Sequence, residues 1–321
     1  MATSSVLQTG DLVSVIIPCF NARPFVEEAI RSAYAQSHRP LEVIVVDDGS
    51  TDGSWELLQE LQQGPFPELL VLSHPNRVNL GVSCSRALGA RKASGDFLAF
   101  LDSDDLFLPN KLKAQLSALS RHPEAVLCHT AVEVIGDMEM ADYFSSVFNH
   151  GQTCQPYDFR QHKDYLIRHG ICNSSVLIRR SPLQRVSLAI HRRSSPQFED
   201  WLCWALLGED GPFLFLEEIL VRYRAHSASF TSILIQRRLD QHFALLEFKL
   251  ALLARCRSTS HALRVLFSLA ETLRQLIVIY MGDPSGPPLE QRNGRHSNGV
   301  ILAIMAVGKP IRWLHRKVAA G

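Results

Sequence analysis

The sequence predicts an α/β protein: a mostly parallel sheet flanked by helices, followed by a C-terminal helical extension. Three observations carry that prediction. Short apolar runs alternate with helix-spaced segments four times in about the first hundred residues, a pattern that builds a right-handed parallel sheet. One run, Phe97–Leu101, is wholly apolar, as expected of a strand covered on both faces. Beyond Ser229 the alternation stops and helical spacing takes over.

Each element has a local reason. Val13–Ile17 is a β-branched run that Pro18 should end, because proline cannot continue a ladder. Pro24 opens a helix with apolar spacing through Phe25, Ile30 and Tyr34. Leu41–Val46 is the second strand, closing in Asp47-Asp48-Gly49-Ser50-Thr51-Asp52, and a helix runs from Gly53 to Gln62. Leu69–Leu72 is the third strand, Val82–Ala93 a helix, and Phe97–Leu101 the fourth strand. A helix from Pro109 to Arg121 and a strand near Ala125–Val134 follow. From Gly136 to His169 the pattern turns irregular and reads as a lid or a long loop. Ser175–Ile178 reads as a strand, Phe198–Leu207 as a short helix, and Phe213–Leu216 with Ile219–Tyr223 as a closing pair of strands. These make one unit over residues 1–229. The extension, 230–321, is helical through Phe243–Leu253 and Ala262–Met281. It then passes through a Gly/Pro-rich linker, Gly282–Gly299, and apolar Val300–Val307 to the basic end Arg312, Arg316 and Lys317.

Composition narrows the function classes. A formal net charge of +1 over 321 residues argues against a nucleic-acid partner, which calls for a strong basic excess. The average hides a split. Residues 1–229 hold 20 Lys and Arg against 27 Asp and Glu, about −7, whereas 230–321 hold 13 against 5, about +8. The seven cysteines, Cys154 among them, form no CxxC pair, so neither a zinc ribbon nor a disulfide framework is indicated. Met1-Ala2-Thr3-Ser4-Ser5 lacks the features of a signal peptide, and even Ala262–Met281 carries Arg264, Glu271 and Arg274. A cytoplasmic protein is expected, soluble or peripheral at the inner face of the plasma membrane.

The candidate chemistry sits at strand ends. Pro18-Cys19-Phe20-Asn21 follows the first strand, Asp47-Asp48-Gly49-Ser50 the second, and Asp102-Ser103-Asp104-Asp105 the fourth. In a parallel sheet all three open on one edge, the ligand-binding edge of open α/β folds. Three acids so close repel one another, and an oxygen-ligated Mg²⁺ or Mn²⁺ would relieve them and hold a diphosphate. Taken alone, the same residues also suit a turn and a helix cap. Asp48 could accept the imide N–H of a pyrimidine with Phe20 flanking the ring, or simply close a turn. Asn79-Leu80-Gly81 leads into a helix N-terminus that favours anions, and Arg86 could reach a phosphate or a sugar hydroxyl or simply lie on the helix surface. Glu199-Asp200-Trp201 puts acids at a helix start, where one could serve as a general base. His226, after Tyr223-Arg224-Ala225, could close a metal's coordination shell.

In order, Val13–Asn21, Val45–Asp52, Asn79-Leu80-Gly81 with Arg86, Leu101–Asp105 and Glu199-Asp200-Trp201 resemble the family 2 glycosyltransferases. The resemblance spans residues 13–226, about two-thirds of the chain. It implies a GT-A (Rossmann-like) fold, a nucleotide-sugar donor, and inverting, metal-dependent transfer. By position it implies that Pro18, Phe20, Asn21 and Asp48 hold the nucleoside and that Asp102 faces the ribose or sugar. Asp104 would bind metal, with His226 nearby, and Asp200 would be the base with Glu199 beside it. Phe20 stands where tyrosine is more frequent in the family, so stacking survives but a phenolic hydrogen bond does not. A Gln-x-x-Arg-Trp motif of processive members is absent, Gln236-Arg237-Arg238 not being one, which points to addition of one sugar.

The expected activity is transfer of a single sugar from a UDP-sugar to a hydroxyl of a glycan or lipid-linked acceptor, as in cell-surface polysaccharide or glycolipid synthesis. Two rival classes stay open: a nucleotidyltransferase, although Pro18–Asn21 is not a Gly-rich basic phosphate loop, and an inactive nucleotide-sugar-binding module. The basic extension has three readings: peripheral contact with anionic lipid, a homodimer interface, or a cap on the first unit.

Overall fold

Four parallel strands form half of the sheet on which the first unit is built. The computed structural model describes residues 11–137, 148, 155–161, 170–186, 199–226, 238–257 and 259–281. Most of the irregular Gly136–His169 stretch, residues 1–10, the linker, Val300–Val307 and the basic end lie outside those residues. The chain divides into two units, Met1–Ser229 and Phe230–Gly321.

In the first unit, β1 (Val13–Cys19), β2 (Leu41–Asp47), β3 (Leu70–Ser73) and β4 (Phe97–Phe100) pair in parallel in the order β3-β2-β1-β4. The sheet continues through β7 (Leu177–Arg179), β6 (Leu127–Gly136), β8 (Phe213–Ala225) and the two-residue β5 (Leu106–Phe107) to eight strands. β7 runs antiparallel to both β4 and β6, β8 runs parallel to β6, and β5 runs antiparallel to β8. The sheet is therefore mixed, with its parallel half first. All seven residues of β1 and all four of β4 are buried, which is why these runs lack polar alternation.

Two expectations change. Pro18 lies within β1, paired with Val46, and does not end it. The reason is directional: Ile16 O accepts Leu101 N on the β4 side, so Pro18 faces that same side, beyond the last β4 pair, Ile16–Phe100, where no N–H is required. The predicted closing pair of strands is a single strand, β8. Between Leu216 and Val221 its register slips against β6, and exposed Glu217 and Glu218 form a bulge that resembles a turn in sequence.

The helices α1 (Val26–Tyr34), α2 (Ser54–Gln63), α3 (Val82–Lys92), α4 (Lys111–Arg121), α5 (Arg180–Val186) and α6 (Glu199–Leu207) complete the unit. α1 buries Val26, Ala29, Ile30 and Ala33, an i, i+3, i+4, i+7 stripe. α3 lies close on β1 because Gly89 has no side chain: a Cβ there would stand 2.5 Å from Ile16 Cγ2. α6 packs through Trp201 and Trp204, both about 1% exposed, and the Trp204 ring lies 6.4 Å from that of Phe100 in β4. In the second unit, α7 (Arg238–Arg255) and α8 (Thr259–Met281) form a hairpin. Leu252 and Leu253 of α7 and Val265 and Leu269 of α8 are buried. Lys249 Nζ bonds Thr272 Oγ1 at 2.6 Å and Ser268 O at 3.2 Å. No helix among the described residues is long and apolar enough to cross a membrane.

α4 carries an unusual core residue. Lys111 is fully buried, donates to Gln115 Oε1 at 2.9 Å and Val176 O at 3.1 Å, and sits 4.1 Å from the Phe107 ring centre. Burial without a carboxylate partner pushes its ammonium down from 10.5 to about 7. Below pH 7 both folded and unfolded chains hold the proton, so this group adds no slope. Between 7 and 10.5 only the unfolded chain holds it, and stability rises with pH. The unfolding free energy of the wild type minus that of Lys111→Met should therefore climb from neutral pH to about pH 10 in urea titrations. A difference flat across that range would contradict a buried ammonium that has no carboxylate partner.

Candidate active site

Strand direction decides which loops meet. β1, β2, β3 and β4 all end on one edge, which brings together Phe20–Asn21, Asp48–Asp52, His74–Gly81 and Leu101–Asp105. β8 is parallel to β4 through β6 and β7, so its last residues and His226 reach the same edge. β7 runs the opposite way, so its entrance, a 3₁₀ turn at Asn173–Ser175, lies beside the exit of β4.

On the β1–β3 side the loops are tied by side chains. Asn21, with φ 49°, accepts Thr51 N at 2.8 Å through Oδ1, and its own N–H donates to Ser50 Oγ at 3.0 Å. Asp52 accepts Ser54 N, the first N–H of α2, at 3.0 Å and also Arg23 N at 3.0 Å. Asp47 accepts Gly49 N and Ser50 N, which shapes the turn after β2. Gly49, at φ 79°, is required there, since a Cβ would stand 2.5 Å from Arg77 O. Asp48 is only 3% exposed and accepts Leu80 N at 2.8 Å and Gly81 N at 2.9 Å, while His74 Nε2 lies 3.5 Å away. Burial holds its carboxyl above the usual carboxylate range, and the two amides offset only part of that rise. Asp48 is thus the anchor of the loop holding Asn79, a role the sequence did not reveal. Phe20, 49% exposed, presents an aromatic face at this rim beyond Pro18.

Acids crowd the β4 end, each with its own donor. Arg86, expected to reach for a ligand, donates to Asp102 Oδ1 at 2.6 Å from the buried face of α3. Asn173 Nδ2 donates to the same oxygen at 3.2 Å. Ser174 Oγ accepts Asp102 N at 3.0 Å and donates to Asp105 Oδ2, whose other oxygen accepts Arg224 N at 2.8 Å. Asp104 Oδ2 pairs with His226 Nε2 at 2.9 Å, and the His226 ring lies 5.3 Å from that of Phe25. Ser103 sits in the turn between Asp102 and Asp104, partly exposed. Glu199 and Asp200 open α6, and Asp200 Oδ1 accepts Trp201 N at 2.7 Å. Burial first, then repulsion from Asp104 and Asp200, raises the Asp102 carboxyl against the pull of Arg86. Asp200 therefore stands within electrostatic reach of Asp102, although 98 residues separate them in sequence.

Among the described residues no group of three His, Cys, Asp or Glu is arranged as a closed metal cage. The Asp104–His226 pair is nonetheless a fitting partial shell. A carboxylate oxygen and an imidazole nitrogen suit Mn²⁺, and ions of this kind take remaining positions from water and phosphate oxygens. Sequence reading missed the roles of Arg224, His74, Asn173 and Ser174. The available signal was the polar Asn173-Ser174-Ser175 run set between apolar Ile171-Cys172 and Val176-Leu177.

The arrangement is that of an α/β protein whose ligand edge is lined with acids, and its likeness to solved structures gives the fold a name. TarS residues 1–349 from S. aureus, solved with UDP-GlcNAc, superposes with a TM-score of 0.63 at 16% identity, covering 91% of this chain and 79% of that one. The mannosyltransferase PcManGT from Pyrobaculum calidifontis, solved with GDP-Man and Mn²⁺, gives 0.56 at 15%, covering 93% and 86%. At such identities these likenesses establish the GT-A-like fold. The model of "Glycosyl transferase family 2" matches residues 14–187, more than half of the chain, and the chain belongs to that family. An uncharacterized glycosyltransferase of Haemophilus influenzae is 26% identical over 236 residues, 71% of this chain and 69% of that protein. TuaG of Bacillus subtilis, a glycosyltransferase named for teichuronic acid biosynthesis, is 40% identical over 105 residues, 33% of this chain and 40% of its own length. The chain spans well under half of the length of several curated relatives it matches.

Replacing Asp48 by Asn turns one acceptor oxygen into a donor facing a backbone N–H. Loss of a charge-assisted, buried hydrogen bond should lower unfolding free energy by about 1–3 kcal/mol. Limited proteolysis within Pro75–Gly81 should quicken as well; an unchanged digestion pattern would show that Asp48 does not hold the loop.

Proposed function

We propose that the protein transfers one sugar from a UDP-sugar to a hydroxyl of a polysaccharide or lipid-linked acceptor, inverting the anomeric centre. The observation that carries the reading is the meeting of Asp102, Asp104, His226 and Asp200 at the ligand edge of a family 2 fold. The UDP- and UDP-GlcNAc-bound TarS structures support the choice of nucleotide, and the TuaG likeness supports a polysaccharide acceptor. Family membership favours glycosyl over nucleotidyl transfer.

In this reading Phe20 stacks on the base. Asp48 uses a lone pair left by Leu80 and Gly81 to accept the imide N–H, since a carboxylate offers about four acceptor sites. Asp102 accepts a hydroxyl of the ribose or the sugar. Asp104 and His226 would hold Mn²⁺ or Mg²⁺, which supplies charge neutralisation for the departing diphosphate. Asp200 takes the proton from the acceptor oxygen as that oxygen attacks opposite the leaving group, through an oxocarbenium-like state.

Calorimetry and turnover separate the roles. Asp200→Asn should bind UDP with Mn²⁺ as the wild type does yet lose about 10²- to 10⁴-fold in kcat. Asp104→Ala should weaken Mn²⁺-dependent UDP binding itself. Unchanged UDP affinity in Asp104→Ala, or full turnover in Asp200→Asn, removes the corresponding assignment. A thermal-shift panel of nucleotide sugars on the wild type identifies the donor.

A further inference from the structure

We infer that Asn173 is a positioning residue that fixes which oxygen of Asp102 meets the donor, an inference resting on the donor-site reading above. The two side-chain donors to Asp102, Arg86 at 2.6 Å and Asn173 at 3.2 Å, both reach Oδ1. Oδ2 has no partner among the described residues, and the Asp102 side chain remains 30% exposed. One carboxylate oxygen is thus saturated and the other is turned outward, the geometry required to accept a hydroxyl. Arg86 alone could not set this orientation, because a carboxylate held by one donor still swings about its Cβ–Cγ bond.

The turn carrying Asn173 is built to be stiff. Asn173 is 5% exposed and Ser174 and Ser175 are fully buried. From behind, Lys111 Nζ holds Val176 O at 3.1 Å, and Gln115 Nε2 holds Ser175 O and Cys128 O, both at 2.8 Å. From the front, Ser174 Oγ bridges Asp102 N and the Asp105 carboxylate. The choice of amide also has a chemical reason. It donates without adding charge, whereas an acid at this position would place another carboxylate against Asp102, already crowded by Asp104 and Asp200. The Asn173 Oδ1 atom is buried with no partner among the described residues, so the residue's purpose in this turn lies in its donor and not in a local backbone cap.

The ligand group is a hydroxyl of the donor, either on the ribose or on the transferred sugar. Steady-state transfer is measured with the UDP-sugar that the wild type accepts, and UDP is used as a competitive inhibitor. Asn173→Ala should raise donor KM about tenfold with kcat within about threefold, and Asn173→Asp should raise it further. Asn173→Ser, the smallest polar replacement, serves if the alanine variant does not fold. A parallel rise in the UDP inhibition constant assigns the hydroxyl to the ribose; an unchanged constant assigns it to the sugar, and either result supports the inference. Unaltered donor KM in Asn173→Ala overturns it. So does a loss confined to kcat, or an equal weakening of an acceptor analogue, because a merely structural role would not single out the donor. If the wild type binds neither UDP nor any UDP-sugar, the donor-site reading fails, and that failure is visible before any variant is made.

Discussion

Repulsion among the carboxylates at the end of β4 is the constraint around which the site is built. Asp102, Asp104 and Asp105 fall within four residues, and burial sharpens their mutual repulsion. The fold answers with a separate donor for each: Arg86 and Asn173 on Asp102, His226 on Asp104, Ser174 and the Arg224 amide on Asp105. These donors come from α3, the β7 entrance and the end of β8. Assembling the acids therefore requires most of the first unit to be folded. The dependence also runs the other way. Arg224 spans the Asp104 carbonyl and Glu28 of α1 and lies over the Phe25 ring, so the β8 end is fastened to the same turn it neutralises.

Sheet topology makes that assembly possible. A wholly parallel sheet would bring only strand exits to the ligand edge. By reversing β7, the chain places a strand entrance there, and a rigid polar turn faces the β4 exit. The two-residue β5 then takes the chain from Asp105 onto the far side of β8, pairing Leu106 with Arg222. The acidic turn is consequently pinned at both ends by ladder hydrogen bonds. This rigidity distinguishes the β4 end from the Asn79 loop, which depends on Asp48 and on Asn76 and Arg77 held at positive φ.

Much of this was legible in sequence, and the reasons differ by element. The parallel half could be read because β1, β4 and most of β2 are buried apolar runs of the kind parallel sheets demand, and because acids after apolar runs are not needed by the strands themselves. The identity of the strand-end acids followed from the same pattern. Their partners did not, because Arg86, Asn173 and Ser174 come from places set by strand order and direction, which local periodicity does not encode. Pro18 was misread because a missing N–H matters only if a neighbour faces it, and here β4 has already ended. The β8 bulge was misread because Glu217-Glu218 has turn-like polarity whether the strand reverses or merely slips. Lys111 carries no sequence signal at all: only the Val176 carbonyl and Gln115 explain a lysine on a buried helix face.

The family model ends at residue 187, yet Asp200 and His226 lie beyond it. Their placement is no less constrained for that. His226 continues a strand held in parallel register with β6 from Leu127–Phe213 to Gly136–Ala225, so the sheet and not the intervening loop delivers it to Asp104. Asp200 opens a helix fixed by the burial of Trp201 and Trp204, the latter against Phe100, two residues before Asp102. Apolar packing of a few large side chains thus sets the separation of two charged groups whose interaction depends steeply on distance.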